Sequence, residues 1–174
     1  TKNHFYIDST GNLVCNYDKY NRLAFIKLLN IYKKRNLDFK NFKIDRIKQL
    51  SIHVPKKKDE LFDELLIFKN LTKLKLFDID STECFKLDVF SQIDNLTISS
   101  STFFNFNISN DLLPKLKSIE FKSCEIDKIT FTKCEFLINI CCTGGSYYND
   151  ERSQIKYFKV INCPKLNEIQ LLTR

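Results

Sequence analysis

The chain of 174 residues has no Trp and no Met, and it contains only three Gly, three Pro and two His. So few Gly and Pro argue against a sandwich or barrel built on many tight turns, and no stretch rich in them divides the chain. One domain is expected at this length. The histidines, His4 and His53, come without any C-x-x-C pair, so the four closely spaced ligands of a zinc site are missing. A Ser or Cys nucleophile needs a base beside it, and no motif ties either histidine to one. No pair of carboxylates sits in a recognisable acid–base context. Thr143-Gly144-Gly145-Ser146 lacks the Lys-Ser/Thr ending of a phosphate loop and reads as the opening of an exposed insertion through Ser153. The expectation is a protein that is not an enzyme and carries no metal or cofactor.

Long apolar runs are also missing, and nothing approaches the ~18–20 residues that cross a bilayer. One of the longest, Phe136 to Cys142, is interrupted only by Asn139 and reads as a buried strand. The first residue is Thr1, so an upstream segment is expected to have been removed; a cleaved secretory signal and a cytoplasmic home both remain open. Sequons at Asn70, Asn95 and Asn107 decide nothing, because about two arise by chance in a chain so rich in Asn, Ser and Thr. The seven cysteines are an odd number, so a secreted form would keep at least one unpaired thiol, whereas in a reducing compartment all can be buried thiols. A Cys124–Cys134 disulfide is conceivable, but connectivity is not legible in sequence.

Charge is unevenly placed. Residues 1–75 hold 17 basic and 8 acidic side chains, against 11 and 13 in the remainder, within a formal net charge of +7. The densest basic runs are Lys33, Lys34, Arg35 and Lys56, Lys57, Lys58. They are a solvated face or, alternatively, a surface for phosphates.

The informative pattern is a repeat, apolar-x-x-apolar-x-apolar, found six times. It reads Ile47, Leu50, Ile52; Leu71, Leu74, Leu76; Ile93, Leu96, Ile98; Leu116, Ile119, Phe121; Leu137, Ile140, Cys142; and Ile155, Phe158, Val160. Successive middle residues lie 24, 22, 23, 21 and 18 apart, close to the roughly 20–29 of a leucine-rich repeat. The fourth copy runs on through Cys124 and Ile126 with Ile129 continuing the series, and the sixth places Cys163 at the same offset with Leu166 behind it. Elsewhere that turn position holds Pro55, Ile79, Ser101 and Gly145.

Over about residues 44–172 the chain therefore resembles the leucine-rich-repeat proteins, as an irregular member. The resemblance implies an α/β solenoid with a parallel sheet on the concave face and helices or loops on the convex face. Residues 1–43 are expected to form a helical N-terminal cap, with a helix over about 19–36 capped by Asp18, and residues 44–174 the solenoid. A second helix is expected over 57–68, with Leu61, Leu65 and Phe68 on its apolar stripe. No full cap follows the last repeat, so an exposed apolar edge is expected at the C-terminal end, open to self-association.

Side chains alternate across a strand, so residues between the apolar positions face outward. Two outward clusters combine aromatic or aliphatic area with charge, as binding hot spots do: Lys73, Lys75 and Phe77, and Tyr157, Lys159 and Ile161. The leading expectation is a protein-recognition module, an effector or scaffold that holds a partner on its concave face. The alternative is an RNA- or ribosome-associated protein that puts Lys33, Lys34, Arg35, Lys56, Lys57 and Lys58 on phosphates, with steep salt dependence. An F-box adaptor is disfavoured, since one convincing helix precedes residue 44 where that module packs three.

Overall fold

The computed structural model describes residues 5–7, 13–15, 48–53, 68, 70–81, 91–143 and 154–171. The chain opens with β1 (Phe5–Ile7) and β2 (Leu13–Cys15), an antiparallel pair with Phe5 opposite Cys15. The part of the expected helical cap that is described is thus strand; residues 16–47 and 54–67, with both expected helices apart from Phe68, lie outside the described residues.

The remaining strands form two parallel sheets, and from β4 onward they alternate between them. The first sheet takes β3 (Gln49–His53), β4 (Lys73–Phe77), β6 (Asn95–Ser99), β8 (Ser118–Lys122), β10 (Asn139–Thr143) and β12 (Glu168–Leu171). The second takes β5 (Asp80–Ser81), β7 (Thr102–Ser109), β9 (Glu125–Thr132) and β11 (Gln154–Ile161). Each strand pairs with its equivalent one chain turn earlier, so from β4 onward the chain winds through both sheets in each turn. Among the described residues the elements opposite the first sheet are therefore strands, where helices or loops were expected.

One spacing rule underlies both sheets. In the turn that starts at Leu116, the buried side chains are Leu116, Ile119, Phe121, Cys124, Ile126, Ile129, Phe131 and Cys134. Steps of three and two alternate along the two strands and the corner between them. A two-residue step keeps the alternation of a strand; a three-residue step adds an outward residue and bends the backbone. Each long strand bends in this way after its first two residues, which leaves Phe104 and Asp127 out of the paired register. The core is continuous from turn to turn. Phe106 packs tilted on Phe103 at 4.6 Å and edge-on to Phe121 of the first sheet at 5.8 Å, and Phe131 reaches Phe158 at 5.8 Å.

Because both sheets obey the same rule, both contain the apolar triplet, and this corrects the sixth repeat. Ile155, Phe158 and Val160 lie on β11, beside Ile126, Ile129 and Phe131 of β9. The sixth member of the first sheet is Leu166, Ile169 and Leu171 on β12. Backbone hydrogen bonds identify it independently. At the entrance to each first-sheet strand, one carbonyl accepts two successive N–H groups of the next turn. Lys48 O takes Thr72 and Lys73, Thr72 O takes Asp94 and Asn95, Asp94 O takes Lys117 and Ser118, and Lys117 O takes Ile138 and Asn139. Ile138 O then takes Asn167 and Glu168, at 2.9 and 3.1 Å. The last step is long because residues 144–153, outside the described residues, separate β10 from β11.

Corners are closed by left-handed residues. Asp78, Ser100, Ser123, Lys133 and Asn162 have φ of 58°, 49°, 51°, 54° and 52°, and none is Gly. The side chain after each turns back inward, and where it is polar it carries hydrogen bonds. Ser101 Oγ donates to Ser99 O at 2.7 Å and accepts the Ile79 N–H at 3.0 Å. One turn later Cys124 lies 3.4 Å from Lys122 O and takes the Ser101 N–H in the same way. A corner N–H sits outside the strand ladder, and buried without an acceptor it would cost about 1–3 kcal/mol.

Replacing Ser101 with Ala strands the Ile79 N–H and should lower stability by about 1–3 kcal/mol in urea unfolding. Ser101→Cys, which copies the neighbouring turn, should recover most of that. Equal losses for both variants would mean that the corner works by shape and not by its hydrogen bonds.

Candidate functional site

The register fixes the outward side chains of the first sheet in three rows. One runs Gln49, Lys73, Asn95, Ser118, Asn139, Glu168; the next Ser51, Lys75, Thr97, Glu120, Cys141, Gln170; the third Phe77, Ser99, Lys122, Thr143. Neighbours within a row stand about 4.8 Å apart, the spacing of hydrogen-bonded strands. Lys73, Lys75 and Phe77 sit where the sequence placed them, on the outward face of β4. Lys73 is exposed, while Lys75 and Phe77 are half-buried. Phe77 stands between His53 and Ser99 in register.

Charge on this face is graded. The two lysines of β4 lie toward its N-terminal side. Midway, Lys122 pairs with Glu120 at 3.1 Å, and Lys117 at the strand entrance approaches Asp94 at 4.0 Å. At the far edge Glu168 accepts a hydrogen bond from Gln170, whose Oε1 in turn lies 3.6 Å from Cys141 Sγ. These pairs are solvent-exposed and contribute little to stability.

The second predicted cluster is not on this face. Tyr157, Lys159 and Ile161 lie on β11, on the outward side of the second sheet, because the triplet beside them belongs to that sheet. Tyr157 is 48% exposed, with Lys128 Nζ 5.6 Å from its ring centroid. Lys156, beside it, pairs with Asp127. This face also carries Phe104, 65% exposed and standing out at the bend of β7. Phe104 was missed in the sequence, yet the signal was there: once Phe103, Phe106 and Ile108 are inward, the alternation of steps leaves Phe104 outside. The run from Phe136 to Cys142 also needs correction. Only Asn139–Thr143 is strand, and Phe136 and Ile138, in and just after the corner, are exposed.

Lys33, Lys34, Arg35, Lys56, Lys57 and Lys58 lie outside the described residues. Among the described residues no group of three or more His, Cys, Asp or Glu could hold a metal, and no helix is long and apolar enough to cross a membrane.

Comparison with protein-family models, curated proteins and solved structures finds no match.

Five described cysteines divide by environment. Cys124, Cys134 and Cys142 are buried, whereas Cys141 and Cys163 are partly exposed. Cys124 and Cys134 occupy different corners, one after the first sheet and the other after the second. Burial pushes the Cys124 thiol up to about 11. Burial, then the neighbouring Cys141 and Cys124, pushes Cys142 up to about 12. Cys134 is raised by burial and by the adjacent Cys163. Cys141 is raised by desolvation and by Glu120 and Glu168, against Lys122. Buried thiols of this kind stay protonated and behave as small apolar side chains.

A thiol raised in the folded state contributes stability that is intact below its unfolded value and is lost as pH climbs toward the folded one. Above pH 9.0, the ordinary cysteine value, the unfolded chain should gain thiolates that the core refuses. Stability should then fall by up to about 1.4 kcal/mol per pH unit for each buried thiol. Urea midpoints at pH 8 and pH 10.5 should separate further for the wild type than for Cys142→Val. Identical separations would show that Cys142 ionises as readily folded as unfolded.

Proposed function

We propose that the chain is an irregular leucine-rich-repeat-type solenoid working as a non-enzymatic protein-recognition module, with the outward face of the first sheet as its binding surface. The observation that carries this reading is the unbroken register of six parallel strands, which holds Lys73, Lys75 and Phe77 beside rows of short polar side chains on a backbone that binding need not reorder. Pre-organisation matters because association otherwise costs about 0.5–1.5 kcal/mol for each long side chain that is immobilised. Short side chains such as Ser51, Thr97 and Ser118 lose little on contact. Phe77 supplies aromatic area, and the two lysines of β4 favour a partner with carboxylates at that end.

The test is affinity capture from cell extract with the wild type, a Lys73→Glu/Phe77→Asp pair and a Phe104→Asp/Tyr157→Asp pair, each with and without nuclease. A partner of the first face should survive nuclease and the second pair of substitutions, and lose affinity at least about tenfold with the first pair. Loss only with the second pair would move the surface to the second sheet. Nuclease-sensitive capture that ignores both pairs and weakens steeply with salt would assign binding to nucleic acid and to the N-terminal basic runs.

A further inference from the structure

The last described turn has a neighbour on one side only. Its inward residues Ile155, Phe158, Val160 and Leu166 are only partly buried, and Ile169 and Leu171 remain 45% and 37% exposed, whereas their counterparts one turn back are buried. Among the described residues, packing around this turn is therefore looser than around the turn before it.

Cys163 sits in the corner of that turn, and its position relative to Cys134 is fixed from both sides. Ile161 is in register with Thr132 before the corner, and Glu168 with Asn139 after it. Both corners span six residues, and both begin with a left-handed residue, Lys133 or Asn162. Each thiol points toward the carbonyl two residues back, Cys134 to Thr132 at 3.7 Å and Cys163 to Ile161 at 3.5 Å. Leu137 and Leu166 then close the two corners with equivalent hydrogen bonds to Cys134 O and Cys163 O. Equivalent residues in adjacent turns have Cα atoms about 4.8 Å apart, inside the roughly 4.4–6.8 Å that a disulfide accepts. The two side chains are within hydrogen-bonding reach of each other. Among the other described cysteines, Cys141 faces outward on the first sheet, while Cys124 turns in at the corner between the sheets.

We propose that Cys134 and Cys163 form a reversible disulfide that staples the turn of β11 and β12 to the turn of β9 and β10. The oxidant is a low-molecular-weight disulfide such as glutathione disulfide. The partly exposed Cys163 attacks first as thiolate, forming a mixed disulfide with one glutathione and releasing the other as thiolate. Cys134 then loses its proton and attacks the Cys163 sulfur, and the second glutathione leaves as thiolate. Two protein thiols give up two electrons and two protons, and one small disulfide becomes two thiols. The second step is the slow one, because Cys134 is buried and its thiolate is disfavoured.

The test oxidises the native full chain in a glutathione redox buffer, blocks remaining thiols with N-ethylmaleimide, and digests with trypsin and a glutamate-specific protease. Cleavage after Glu135 separates Cys134 from Cys141 and Cys142, so the linkage is read without ambiguity. The expected product is a Cys134–Cys163 link within one chain, removed by dithiothreitol, absent in Cys163→Ser and retained in Cys124→Ser. Amide exchange over residues 154–171 should slow by on the order of a hundredfold on oxidation, since the closed loop restrains opening of the turn. The proposal is overturned if Cys163 stops at the glutathione adduct, if it links to another cysteine or another chain, or if the link forms and exchange does not change. Mapping on the wild type keeps the test decisive even should a variant fold poorly.

Discussion

Ile129 is dry because Phe106 stands at the same place one turn earlier and Phe158 one turn later. No single turn of this chain can bury its own inward side chains; contact with the equivalent residues of adjacent turns does it. The same contact satisfies the backbone, since the ladder hydrogen bonds of both sheets and the paired N–H groups at each strand entrance run between turns. Removing a neighbour therefore exposes apolar side chains and unpairs polar groups together. The terminal turn shows the gradient directly: the inward residues of β8 and β9 are buried, those of β11 partly exposed and those of β12 exposed.

Much of this arrangement was legible in the sequence. Four apolar triplets, those beginning at Leu71, Ile93, Leu116 and Leu137, fell on the correct strands and their entrances, while Ile47 of the first lies outside the described residues; the apolar edge expected at the C-terminal end is seen at the exposed Ile169 and Leu171. Of the turn residues, Cys124 was read correctly, while Cys163 proved to belong to the corner of Cys134. The misreading of Ile155, Phe158 and Val160 has a physical cause. A strand, a corner and a second strand all leave inward residues at steps of three and two, so a triplet alone does not say which sheet it occupies. The short final step of 18 was the clue. It is too short for a full turn, and it arose because residues 144–153 displaced the true sixth strand to 168–171. Helices opposite the first sheet were expected from the resemblance and not from a period of 3.6 in residues 101–136. Within that stretch Phe103, Phe106 and Ile108, or Ile126, Ile129 and Phe131, carry the aromatic and β-branched character of strands.

The candidate site was half legible for the same reason. Lys73, Lys75 and Phe77 needed only the alternation of one strand, and they lie where that alternation put them. Tyr157, Lys159 and Ile161 needed the assignment of a whole strand to one of two sheets, and that depended on the length of the segment just before it, residues 144–153. An outward residue leaves little trace in the repeat, because the core constrains only its inward neighbours. Function can therefore vary over these faces without disturbing the stack, and no period in the sequence announces where it lies.

The corner position between the sheets takes either an apolar side chain, as at Ile79, or a small polar one that satisfies a backbone N–H beyond the reach of the strand ladder, in a dry core that penalises charge. Ser101 and Cys124 meet these demands with a hydroxyl and with a thiol held in its neutral form. A thiol adds something that a hydroxyl does not. Wherever the corner residue is Cys in two successive turns, the stacking that packs the core also brings two sulfurs side by side. In the described residues this happens at Cys134 and Cys163, between the well-buried turn of β9 and β10 and the less buried turn of β11 and β12. The geometry that makes Cys an acceptable structural residue thus sets two thiols side by side where a covalent bond would add most to the described packing.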